Sequence, residues 1–311
     1  MKPIQAFKLT TSVWLVTSLT ACGGGGGYGD AGVQPPTVAL SSTSSVKYSE
    51  SMLITLTGSR LDQTLTLTSA GCRNFVRGTT APNVSSATTA YYTCTVAGAT
   101  GSQAVTVAGG GANIASVAFT VPVPQVSMVI SNGTAGAATL VITLLPDFAP
   151  LTVDNFLSYV KAGFYNGVAF HRHGRFADLS SFVLQAGGYP APLTSGAAFP
   201  AHKPVNAAIA LEAGRGLSNL RYTLAMARTN VLDSATSEFF INTVDNLFLD
   251  TSNGGYAVFG SVTPATTTLV DAMVVAPCTL SPINFNVPLA AARPDCLPEP
   301  NLVISNALQT R

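Results

Sequence analysis

The chain has 311 residues with 15 Lys+Arg against 14 Asp+Glu, and 9% of its residues are charged against 47% hydrophobic. That length implies about two domains, each able to bury its own core. The even charge balance, with no local run of Lys or Arg, lacks the basic field that neutralises phosphates, so no nucleic acid partner is expected.

Thr, Ser, Val, Ala and Gly dominate, which favours short strands joined by turns and predicts a mainly β architecture. The first 22 residues place Lys2 and Lys8 ahead of an apolar run that ends in small residues, the layout of an export signal. The run is too short to span a bilayer. Its ending, Leu19-Thr20-Ala21-Cys22, resembles the lipobox of bacterial lipoproteins, which implies lipidation of Cys22. A plain export signal or a buried apolar helix is the competing reading. Gly23 resembles the second residue of lipoproteins released to the outer membrane. Residues 23–36, "GGGGGYGDAGVQPP", offer few side chains to pack and read as a flexible tether with a reach of roughly 20 Å.

Residues 37–123 hold six short Thr/Val-rich runs: "TVALSS", "SMLITLTGS", "TLTLTSAG", "AYYTCTVAG", "SQAVTVAGG" and "ASVAFTVP". Their alternation and turn punctuation predict a small antiparallel β-sandwich. It resembles the immunoglobulin-like modules of exported bacterial proteins. No cluster of Asp, Glu, His or Ser there argues for chemistry, so a spacer or adhesion role is expected. With Cys22 given to lipid, Cys72 and Cys94 lie in this half and Cys278 and Cys296 near the end. Two local disulfides are the economical pairing, with free buried thiols as the alternative. "PVPQ" at 122–125 reads as a junction.

From residue 126 the pattern changes. "TLVITLLPDFAP" reads as a strand, and "LTVDNFLSYVKAG" then places Val153, Phe156, Leu157 and Val160 at helical spacing. Thr152 is the expected cap of this helix and Gly163 its expected stop. Further strands are predicted at "VSMVI", "VAFHR", "FVLQAG", "YTLAMA", "EFFINTV", "AVFGSV" and "LVIS", with a second short helix at "LVDAMVV". Eight antiparallel strands suffice to close a barrel that two helices can plug.

The stretch "TVDNFLSYVKAGFYNGVAFHR" resembles the opening of a cyclophilin-type peptidyl-prolyl cis-trans isomerase. "FVLQAGG" at 182–188, "GLSNLRYTLAMART" at 216–229, "DSATSEFFINTVDNLFLD" at 233–250 and "GYAVFG" at 255–260 follow in that family's order, so the resemblance covers about residues 126–311. It implies an eight-stranded antiparallel barrel capped by two helices, and Arg172 as catalytic arginine with His171 beside it. Phe182, Val183, Phe240, Leu249 and Tyr256 would line a proline pocket. Gln185 would hydrogen-bond the substrate backbone, and the main chain at Ala227 and Arg228 would hold the peptide extended. Proline-containing polypeptides are the implied partners, with no cofactor and no metal.

Departures from the family pattern carry their own expectations. Val183 stands where methionine is usual. Phe248 and Tyr256 replace tryptophan and histidine, which implies weak or no cyclosporin binding. Glu238 stands where glutamine is usual, and it is expected to pair with Arg172 and compete with substrate. Nine residues, "HGRFADLSS", replace a shorter connection between Arg172 and Phe182, and His173 and Arg175 are expected in that inserted loop. A second insertion, roughly 278–296, bears the cysteine pair.

Rotation about an X-Pro bond breaks amide resonance against a barrier of about 18–20 kcal/mol, and no bond is made or cleaved. A catalyst must stabilise a nitrogen that has regained its lone pair. A guanidinium stays charged and offers directed donors, and an apolar pocket fixes the proline ring while excluding water. The expected function is therefore an isomerase that assists folding of exported proteins. It would be lipid-anchored in the bacterial cell envelope and face the periplasm, with the outer membrane as its site. The rival is a catalytically weak domain that binds proline-containing peptides as a chaperone or adhesion module.

Overall fold

The computed structural model describes residues 34–44, 46–131, 136–194, 200–280 and 295–311. The expected export signal, Cys22, most of the expected tether and residues 281–294 lie outside the described residues. Two compact units are resolved, one running to Val121 without Lys47–Ser49 and Gly98–Gly101, and the other made of those two segments and Pro122–Arg311.

The first unit holds seven strands. They are β1 (Thr37–Thr43), β2 (Ser51–Ser59), β3 (Leu65–Thr68), β4 (Cys72–Arg77), β5 (Thr89–Val96), β6 (Gly101–Gly109) and β7 (Ala112–Val121). They form a four-stranded sheet in the order β1-β2-β5-β4 and a three-stranded sheet in the order β3-β6-β7. Strict alternation puts Met52, Ile54 and Leu56 of β2, and Ala90, Tyr92, Cys94 and Val96 of β5, into the core. Gly110 and Gly111, with φ of +62° and +83°, make the two-residue turn between β6 and β7 that side-chain-bearing residues would strain. Six of the seven strands fall on the six runs expected from the sequence. The exception, β4, is an exposed edge strand whose pairing with β5 slips between Arg73 and Val76, around Asn74 with φ +58°, which erases its period of two. Cys72 is bonded to Cys94, joining β4 to its neighbour β5.

The second unit is a closed barrel. Its strands are β8 (Gln125–Ser131), β9 (Ala137–Leu144), β10 (Val168–Arg175), β11 (Ser181–Pro190), β12 (Thr223–Met226), β13 (Phe239–Asn242), β14 (Val258–Val262) and, after two short strands described below, β17 (Val303–Gln309). The ring runs β10-β11-β13-β12-β14-β9-β8-β17 and returns to β10 with every pairing antiparallel. Helix α1 (Pro150–Lys161) buries Val153, Phe156, Leu157 and Val160. Its Phe156 ring lies 5.0–5.5 Å from those of Tyr165, Phe239 and Phe259. Helix α2 (Thr267–Val274) buries Val270 and Met273.

Two expectations for α1 resolve differently. Gly163, with φ +64°, ends the helix as the sequence suggests. Thr152 is not the cap. The helix begins earlier, at Pro150, because proline fits the first turn, and Ala149 precedes it without a side-chain bond. Thr152 donates both its N–H and its hydroxyl to the buried carboxylate of Glu212, at 2.8 and 2.9 Å. A distant anion therefore satisfies the helix start.

The hairpin of β15 (Cys278–Leu280) and β16 (Cys296–Pro298) is attached to β10 where Cys296 faces His173. Cys278 and Cys296 are bonded. Leu297 is fully buried and packs with Ala169 and Leu193.

Candidate active site

β10 sorts His171, Arg172 and His173 by alternation. His171 and His173 are buried, at 0% and 3% exposure, while Arg172 between them keeps 18% of its side chain accessible on the opposite side. The expectation that His173 and Arg175 sit in a loop is corrected. The nine-residue insertion extends the β10/β11 hairpin, pairing Gly174 with Val183 and Arg175 with Ser181. His173 Nε2 lies 2.7 Å from Ser181 Oγ. Burial first, and then the Arg175 charge, lower its pKa to about 4.

Arg172 pairs in register with Gln185 and donates Nη1–H to Gln185 Oε1 at 2.9 Å. Its Nε–H goes to Asp295 Oδ2 at 2.7 Å, and its guanidinium carbon lies 5.4 Å from the Phe182 ring centre. The group therefore stands at the rim of a cavity of about 390 Å³. Arg172, Phe182, Val183, Gln185, Ala227, Arg228, Phe240, Phe248, Leu249 and Tyr256 all line it. Phe182, Val183, Phe240 and Leu249 form one apolar cluster with Ala225 and Val258, against which Phe176 and Tyr256 pack. Gly174 permits this, since a Cβ there would come within 2.8 Å of both Phe182 and Val183.

Arg228 is a loop organiser. Its guanidinium donates to the carbonyls of Thr229, Asn253 and Gly255 and lies 4.7 Å from the Tyr256 ring centre. The Ala227 N–H is engaged by the carbonyl of Glu238. His171 does not line the cavity. It stacks edge-on with Tyr189 at 5.0 Å and approaches Glu238 Oε2 at 3.4 Å.

Glu238 does not pair with Arg172, contrary to expectation. It accepts from Gln185 Nε2 at 2.7 Å and from His202 Nε2 at 2.9 Å, and lies in an adjoining recess of about 650 Å³ shared with Arg172, Gln185 and His202. Burial pushes its carboxyl up, but the contacts from His171, His202 and Gln185 outweigh burial and hold it well below the usual carboxylate range. His202 has Glu238 on one ring nitrogen and the carbonyl of Lys203 on the other, at 2.9 and 2.8 Å. Two acceptors suit the doubly protonated ring, and Glu238 foremost raises its pKa. A Cβ at Gly188 would collide with both members of this pair.

Three features escaped the sequence reading. Asp295 and His202 come from segments far along the chain, without a local motif. The third is a buried amide ladder. Asn246 Nδ2 donates to the Phe182 carbonyl at 2.7 Å and to Asn242 Oδ1 at 2.8 Å, Asn242 donates to Asn219, and Asn219 donates to Asp250. It ties the strand bearing Phe182 to the turn bearing Leu249. Its residues sit inside the quoted blocks, so their polarity in otherwise apolar surroundings was the available signal.

Among the described residues one group has metal-like proximity: His173, Cys278 and Cys296, with ligand atoms within 4.8 Å of one another. Both sulfurs are consumed in their disulfide, so the set does not suit a metal.

A closed eight-stranded antiparallel barrel with an arginine at the rim of a cavity that has an apolar wall defines the class. The family model for cyclophilin type peptidyl-prolyl cis-trans isomerase/CLD matches residues 127–287. Peptidyl-prolyl cis-trans isomerase A of Dickeya dadantii is 44% identical over 131 residues, which cover 42% of this chain and 63% of that relative. The peptidyl-prolyl cis-trans isomerase of Acinetobacter baylyi is 43% identical over 149 residues, covering 47% of this chain and 72% of the relative. Peptidyl-prolyl cis-trans isomerase B of Escherichia coli is 43% identical over 128 residues, covering 40% and 71%. The chain belongs to the cyclophilin-type peptidyl-prolyl cis-trans isomerase family.

Proposed function

We propose that the second unit catalyses cis-trans isomerisation of prolyl bonds in exported polypeptides. The observation that carries this is the Arg172 guanidinium, fixed by Gln185 and Asp295 at the rim of the cavity walled by Phe182, Phe240 and Leu249. A proline ring seated against that wall leaves its nitrogen toward the arginine, whose N–H stabilises the lone pair that rotation releases. The wall excludes water that would weaken the donor. The binding-only alternative rests on displacement of Arg172 by Glu238 and the insertion; against it, Glu238 is engaged by Gln185 and His202, and the insertion extends the β10/β11 hairpin.

The finer reading is an enzyme held in the bacterial envelope by a lipid on Cys22 and facing the periplasm at the outer membrane. The lipobox-like ending at Cys22 and two formed disulfides, which persist in oxidising compartments, support it. The first unit would be an immunoglobulin-like spacer or partner module. Its strand orders β1-β2-β5-β4 and β3-β6-β7 follow the A-B-E-D and C-F-G sheets of a constant-type immunoglobulin domain, which supports that reading. Its disulfide joins the strands equivalent to D and E, where antibody domains bridge B and F.

A protease-coupled cis-to-trans assay on a proline peptide tests the activity. The expected result is turnover that falls about 100-fold in Arg172→Ala. Wild-type turnover in that variant would remove the mechanism.

A further inference from the structure

We infer that Asp295 is a positioning residue for Arg172, anchored by the disulfide-bonded hairpin of β15 and β16. This deepens the isomerase reading and rests on it. The match to the family model ends at residue 287, and Asp295 lies beyond it, in the segment that carries the Cys278–Cys296 pair.

An arginine at a cavity rim has many rotamers, and only a few aim an N–H at the reacting nitrogen. Asp295 removes that freedom. Its Oδ2 takes Nε–H of Arg172 at 2.7 Å, and its Oδ1 takes the backbone N–H of Arg175 at 3.1 Å, so the carboxylate is itself held at both oxygens. The next residue, Cys296, is fully buried, faces His173 on β10, and is bonded to Cys278. With Nε on Asp295, Nη1 on Gln185 and the plane beside Phe182, the guanidinium has three restraints. Among the described residues none accepts from Nη2.

A carboxylate this close also offsets part of the arginine's charge. Rotation of the amide exposes a lone pair and creates no net anion, so the aim of one N–H outweighs the total charge. Asp295 therefore assists catalysis.

The test uses the full mature chain and the variant Asp295→Asn, which keeps shape but cannot accept from Nε and from the Arg175 N–H at once. Expected is a kcat lower by about tenfold with KM changed less than about twofold, because the apolar wall is intact. Combined with Arg172→Ala, the asparagine should add nothing. Joint replacement Cys278→Ser and Cys296→Ser should lower kcat in the same direction. Independently of turnover, the Arg172 Nε–H signal in proton–nitrogen spectra should exchange with water about tenfold faster in Asp295→Asn. A wild-type or raised kcat, an additive double variant, or unchanged Nε–H exchange would overturn the inference. If the wild type itself shows no turnover, the isomerase reading fails, and the exchange measurement still decides whether Asp295 holds Arg172.

Discussion

Replacing Glu238 by alanine removes the acceptor on which three side chains converge. Gln185 donates to it at 2.7 Å and His202 at 2.9 Å, and His171 Nε2 lies 3.4 Å away in a fully buried position. Hydrogen bonds to a charged group contribute about 1.5–3 kcal/mol each, and a donor left buried adds to the loss. The partly exposed His202 contact counts at the low end because water screens it. Together these give about 3 kcal/mol. At about 2–4 °C per kcal/mol for a unit of this size, the thermal midpoint falls by about 6–12 °C. The released Gln185 amide can turn away from Arg172, so kcat/KM should fall as well. Calorimetry of the protein, with the isomerase assay beside it, measures both. The sign with pH is fixed by the two partners. Glu238 is held low, so its contribution is present above the unfolded carboxylate value and disappears as pH falls. His202 is raised, so its contribution is present below the unfolded histidine value and disappears as pH rises through its folded one. The stability difference between wild type and Glu238→Ala should therefore peak between roughly pH 5 and 6.5. An unchanged midpoint, or a difference that is flat across pH, would refute the reasoning.

Gly174→Ala should destabilise by about 1–3 kcal/mol and raise KM, because the new methyl forces Phe182 and Val183 from the cavity wall; chemical denaturation and substrate titration check it. Burial lowers the pKa of His173 to about 4, so between the unfolded value near 6.5 and that figure the unfolded chain binds the extra proton. Stability should fall as pH drops through this window, and His173→Gln should flatten that slope in denaturation curves taken across it. Joint replacement Cys72→Ser and Cys94→Ser opens a loop of sequence separation 22 and should cost about 3 kcal/mol in the first unit, read from its unfolding transition.

Most of the barrel was legible in the sequence because β8, β9 and helix α1 carry a period, and β11 to β14 stand out as short apolar runs. Val153, Phe156, Leu157 and Val160 on the helix are set by nothing more than local geometry. The cavity lining was legible only through the quoted blocks, since no spacing rule brings Phe182, Phe240 and Tyr256 together. What was lost follows from distance and burial. The pairing of Glu238 is not visible in the sequence because its partners, His202 and Gln185, lie 36 and 53 positions away, and the carboxylate partner of Arg172 lies 123 positions away. The insertion after Arg172 was read as a loop, yet Gly174 lets it continue as strand beneath the Phe182 ring. Thr152 carried the right chemistry for a cap, but Pro150 had already opened the helix.

The bond between Cys72 and Cys94 ties β4, the outermost strand of its sheet, to the strand beside it. An outer strand with open N–H and C=O groups is where a sheet can recruit a foreign chain, and peeling is the first step of that exchange. Stitched to its neighbour, β4 cannot swing out. The cross-link thus guards the border of the sheet, and cohesion across the interior of the first unit is left to its apolar side chains.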